Sequence, residues 1–132
     1  MARQGAFEGV DAAMMMHPAG VNLATMRCIA ISMVTVSYRG VSSHASAMPE
    51  RGVNALDALV TAYNAIAMLR QHIRSTERIH GIIVKGGDAP NIVPEFASGN
   101  FYVRAKNMKE LNALKRACRR VLRLARAPRV RP

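Results

Sequence analysis

Hydrophobic and polar positions recur with two different periods along this chain, and the changes of period mark its elements. From Ile29 to Tyr38, Val34, Val36 and Tyr38 share one side while Met33, Thr35 and Ser37 share the other. A period of two with β-branched residues predicts a strand, ended by Arg39-Gly40. From Asn54 to about Ile73 the period lengthens: Val53, Leu56, Val60, Tyr63, Ile66 and Leu69 recur at three- and four-residue steps, which predicts an amphipathic helix. Arg78 to Lys85 reads as a second strand stopped by Gly86-Gly87. Phe96 to Ala105 reads as a third, interrupted at Ser98-Gly99-Asn100. Asn107 is placed to cap a second helix with Glu110 three residues on. Leu111, Leu114, Cys118, Val121 and Leu122 form its apolar stripe. Upstream, the apolar run Val10 to His17 predicts a buried strand stopped by Pro18.

From Ile29 the order is β-α-β-β-α, one strand short of a split βαββαβ unit. The expected fold is therefore α+β and ferredoxin-like, an antiparallel sheet with both helices on one face. The chain divides on this reading into 1–22, holding the upstream strand; 23–115, the βαββα unit; and 116–132, a basic tail. The loop Val41 to Gly52, rich in small and polar residues, joins the first strand to the first helix.

At 132 residues and half hydrophobic, the chain has room for one modest core. Its net charge of +11 suggests nucleic acid until it is located. Residues 1–108 hold ten Lys/Arg against seven Asp/Glu, whereas 109–132 hold nine against one. Basicity thus belongs to the tail, no RNA-reading Lys/Arg-Gly-Phe motif accompanies it, and no nucleic-acid partner is expected. No apolar run is long enough for a membrane span, and the first residues lack a signal-peptide core. Cys28 and Cys118 match no metal spacing, and reduced thiols in a cytoplasmic protein are expected.

Four histidines carry the candidate chemistry. His72 and His80, on a helix end and in a strand, read as structural or solvated. His17 ends the predicted upstream strand, where ligands often sit, but no second ligand stands at metal spacing near it. His44 lies among small residues, Ser42-Ser43-His44-Ala45-Ser46, which leave a ligand room to approach the imidazole. There it could donate to a developing oxyanion, bind a carboxylate, or be an idle turn residue. Gly86-Gly87-Asp88-Ala89-Pro90-Asn91 lacks the pattern of a phosphate loop and reads as a rigid turn presenting Asn91. Arg104, at a strand end, could hold a carboxylate or simply be solvated.

Four blocks together resemble the lid of the dinuclear-zinc peptidases that include aminoacylase, carboxypeptidase G and amidohydrolases of N-acyl and aminobenzoyl amino acids. They are Asp11 to Pro18, Tyr38 to Asp57, Ile79 to Pro94 and Val103 to Ala105. Within that family the chain looks most like the branch that cleaves Xaa-Arg or β-alanyl-lysine dipeptides. The resemblance implies a four-stranded antiparallel lid with two helices that pairs into a homodimer or heterodimer. It further implies that residues 1–22 are the remnant of a metallopeptidase catalytic domain with His17 as a zinc ligand at the end of its strand, and that His44 reaches a partner subunit's active site to stabilise the tetrahedral intermediate. Asn91 and Arg104 would then bind the carboxylate or backbone of a small peptide or N-acyl amino acid. The family uses two zinc ions, and its remaining ligands have no counterpart here, so the chain alone is expected to be inactive. A free-standing dimerisation or regulatory module is the alternative. The resemblance fades after Leu114, where the last lid strand would follow the helix.

Overall fold

The computed structural model describes residues 2–26 and 28–125. Strand β1 (Ala30–Arg39) is followed by helix α1 (Ala55–Leu69), strands β2 (Arg78–Lys85) and β3 (Phe96–Ala105), and helix α2 (Met108–Leu124). The sheet order is β1-β3-β2, with β3 antiparallel to both neighbours. This is the expected ferredoxin-like α+β unit, with three strands among the described residues. Its inner face packs under both helices through Ile79, Ala97, Phe101, Val103 and Ala105.

β1 keeps the predicted alternation, its even-numbered residues half-buried and its odd-numbered ones exposed. β3 does not break at Ser98-Gly99-Asn100. Bonded on both sides, the segment stays paired: it is in regular register with β1, Gly99 opposite Val36, while on the β2 side Gly99 faces Ile83 and the register shifts between Ile83 and Lys85. A Cβ at Gly99 would fall 2.9 Å from the Ile82 carbonyl oxygen and 3.3 Å from Leu59.

Each helix is capped by an asparagine, Asn107 as predicted and Asn54 in addition. Asn54 Oδ1 accepts from Leu56 N and Asp57 N, and Asn107 Oδ1 accepts from Glu110 N. Glu110 does not complete a capping box; it reaches Arg74 at 3.4 Å instead. In α1 the buried face is Ala55, Ala58, Leu59, Ala62 and Ile66, rotated from the stripe of larger side chains, and Val60 is exposed. The small alanines let the helix axis approach the sheet, so Leu56 and Tyr63 flank the contact instead of filling it.

α2 runs unbroken across position 116, where the tail was expected to begin. Cys118 and Leu122 are buried in the core, because the apolar stripe continues past Leu114. Tyr38 Oη donates to the Leu122 carbonyl at 2.6 Å, satisfying one of the acceptors that a helix end leaves over. The rest of the basic tail, 126–132, lies outside the described residues.

The run Val10 to His17 is not a strand but irregular and exposed. A β-strand exists only where a neighbouring strand pairs its N–H and C=O groups, and no described strand lies beside this run.

Burial pushes the Cys118 thiol up from 9.0 to about 11, a backbone hydrogen bond opposing and the Glu77 carboxylate assisting. The folded state therefore keeps this proton at pH values where the unfolded chain has lost it. Stability is expected to fall as pH rises from 9.0 to about 11. Urea unfolding across that interval checks this, and Cys118→Ala should remove that part of the decline.

Candidate functional site

The loop between β1 and α1 is fastened at its base. Val41 and Val53 exchange two backbone hydrogen bonds of 2.9 Å, and Gly40 N donates to Glu95 O at 2.7 Å. Gly40 is required here, since a Cβ would fall 1.8 Å from the Val53 carbonyl oxygen. Farther out the loop pairs with the segment before β3. Ala45 N donates to Asn91 O, and Val93 N to Ser43 O, both at 2.9 Å, with His44 opposite Ile92. Ser43 and Val93 turn inward against Gly52, where an added Cβ would meet both. His44 and Ile92 stay exposed, as strand alternation requires.

The structure thus brings His44 and Asn91 into neighbouring backbone segments at one end of the sheet. Pro90, Ile92 and Pro94 also line an open pocket of about 390 Å³ beside the N-terminus of α1, with Asn54, Leu56 and Gly86 to Ala89. Lys85 pairs with Asp88 at its rim.

Arg104 is not part of that cluster. It sits eight positions along β3 from Phe96, which pairs with Arg39 at the loop end. At about 3.3 Å per residue this places it roughly 26 Å away. There it lies on the sheet face that the helices leave open, stacked over Tyr102 at 5.9 Å. Its cross-strand neighbours are Ile31 and Arg78.

His17 is exposed on the irregular N-terminal segment. Its Nδ1 lies 2.8 Å from the Pro18 carbonyl oxygen, which can only accept, so Nδ1 carries a proton and, in the neutral ring, Nε2 offers a lone pair. A metal-bound histidine has the same arrangement. Yet among the described residues no three His, Cys, Asp or Glu side chains group to hold a metal ion. The donor set does not fit a zinc centre by itself. His72 and His80 lie away from the loop cluster, in the turn after α1 and in β2.

Reading the sequence missed the glycine approach at Gly40 and the backbone donors of Ser46 and Ala47 that face His44 Nδ1. The tight spacing of small residues after His44 was the one available signal.

The fold and site define a ferredoxin-like α+β domain that fastens a histidine loop at one end of its sheet. The chain matches the peptidase dimerisation domain over residues 30–128, and it belongs to that family. It is 49% identical to a mouse Xaa-Arg dipeptidase over 110 residues, 83% of this chain and 26% of that protein. It is 33% identical to a p-aminobenzoyl-glutamate hydrolase subunit from Escherichia coli, covering 84% of this chain and 24% of that one. The fold is shared with an aminobenzoyl-glutamate utilization protein from Klebsiella pneumoniae, at TM-score 0.62 and 23% identity over 74% of this chain and 25% of that one. The chain therefore spans about a quarter of the relatives it matches.

Proposed function

We propose that this chain forms the lid and dimerisation part of a metal-dependent amidohydrolase that cleaves dipeptides or N-acyl amino acids. In this reading His44 and Asn91 serve one active site and Arg104 another. The separation of roughly 26 Å along β3 carries the argument. It exceeds the length of a dipeptide, so one lid cannot close all three side chains on one substrate. Two lids related by a two-fold axis can, each supplying its loop end to one site and its arginine to the other. A homodimer, or a heterodimer with a longer relative, meets that need.

His44 then supplies a hydrogen-bond donor to the oxyanion that develops when an amide carbonyl is attacked. Asn91 orients the substrate backbone, and Arg104 offers a planar fork to its carboxylate. The relatives' names, an Xaa-Arg dipeptidase and a p-aminobenzoyl-glutamate hydrolase subunit, support an amide substrate ending in a carboxylate. His17, with its free Nε2 lone pair, would contribute one ligand to a zinc centre completed by residues beyond this chain. Both cysteines are free, which agrees with a reducing, cytoplasmic setting. No helix among the described residues is long and apolar enough to cross a membrane.

The test is complementation. A full-length Xaa-Arg dipeptidase carrying alanine at the position aligned with His44 should lose activity by about 100-fold or more. Mixing it with this chain should restore at least a tenth of that loss and give a joint peak on size-exclusion chromatography. The chain carrying His44→Ala should restore none, and the chain alone should hydrolyse nothing. Separate elution with no recovered activity would refute the reading.

A further inference from the structure

One ring nitrogen of His44 is already engaged within its own turn. Nδ1 lies 3.4 Å from Ser46 N, 3.2 Å from Ala47 N and 3.2 Å from Ser46 Oγ. Backbone N–H groups only donate. A neutral imidazole can meet them only with its lone pair on Nδ1, which puts the proton on Nε2. The contacts are long because three donors share one lone pair. Ala47 N also divides its bond with the His44 carbonyl, at 3.3 Å.

The donors cannot easily swing aside. Met48 N closes the turn onto His44 O at 3.1 Å. On the other side of His44, the segment is pinned by Ala45 N to Asn91 O and by Val93 N to Ser43 O. Ala45, Ser46 and Ala47 are small enough for the backbone to wrap the ring edge this closely. His17 is held in the opposite state, its Nδ1 donating to Pro18 O.

We infer that the Ser46–Ala47 turn is a tautomer lock, and that these two are positioning residues holding neutral His44 as the Nε2–H form. The lock restricts the chemistry available to His44. With Nδ1 occupied and Nε2 protonated, the ring donates to an electron-rich oxygen, either a carbonyl passing to an oxyanion or a carboxylate. It offers no lone pair at Nε2 with which to act as a general base. Its use rests on the proposed role of His44, but its existence does not.

The experiment is a long-range proton–nitrogen correlation spectrum of this chain labelled with ¹⁵N-histidine. It is recorded at about pH 8.5, two units above the ordinary imidazole range. His44 should show an unprotonated Nδ1 and a protonated Nε2, with the Nε2–H form in about tenfold excess. His17 should show the reverse. Ser46→Ala with Ala47→Pro removes the hydroxyl and one amide donor, and should lower the His44 excess several-fold, toward the ratio of His72 and His80. A protonated Nδ1 at His44 in the unaltered chain overturns the inference, and so does a ratio equal to that of His72 and His80. The unaltered chain alone decides the point if the double variant fails to fold. A lock that is confirmed while complementation fails would refute the functional reading and leave this inference intact.

Discussion

Replacing Gly40 with alanine should cost about 3 kcal/mol, near the upper end of what overpacking does. The added Cβ would fall 1.8 Å from Val53 O, 2.9 Å from Val53 C and 3.1 Å from Ala55 N. All three are backbone atoms, so no side-chain rotation relieves the clash. The backbone that must move carries the Val41–Val53 pair and the Ala55 N to Pro94 O bond of 2.8 Å. Those contacts fix both the start of α1 and the base of the His44 loop. Urea unfolding should show the loss, and amide exchange at Val41 and Val53 should accelerate. Gly20, where an added Cβ would meet nothing within 4 Å, is the control; alanine there should stay within about 0.5 kcal/mol. Equal behaviour at the two glycines would contradict the packing argument.

Phe101→Ala should be at least as damaging, at about 3–5 kcal/mol. Phe101 is 1% exposed in the central strand, between Val34 and Gly81. Its ring lies 6.0 Å from that of Tyr63, whose hydroxyl donates to the Gly81 carbonyl. Gly81 exists to make room for it: a Cβ there would sit 2.2 Å from Phe101 Cδ1. The two positions should therefore be strongly non-additive. Gly81→Ala alone should destabilise by about 1–3 kcal/mol, but in the Phe101→Ala background it should cost less, since the clashing ring is gone and only the Asn100 carbonyl oxygen, 2.9 Å from the added Cβ, still has to give. A thermal-unfolding double-mutant cycle with purely additive shifts would sink this account.

Both predictions rest on glycines whose role no periodicity exposes. A glycine in a strand or before a loop looks alike whether it faces solvent, as Gly20 does, or a backbone oxygen, as Gly40 does. Distinguishing them requires knowing what lies across from each. The same limit applies to the α1 stripe, where helical spacing identified a face but could not weigh alanines against larger neighbours. It applies as well to Val10 to His17. Apolar composition suggested a strand, yet a strand depends on the sheet that receives it.

By itself, the sequence determined the order and type of the five elements from Ile29 onward, the Asn107 cap and the outward alternation of β1. These depend on interactions within a few residues: local hydrogen bonds, side-chain period and turn chemistry. It also singled out His44 and Asn91, by the small residues around one and the rigid turn before the other. Only the tertiary structure decided that these two share an end of the sheet while Arg104 stands at the far end. That follows from the antiparallel register of β3, which turns a sequence separation of thirteen from Asn91 to Arg104 into nearly the full length of a strand. The direction of the His44 proton was likewise beyond the sequence, because backbone donors set it and every residue but proline carries one.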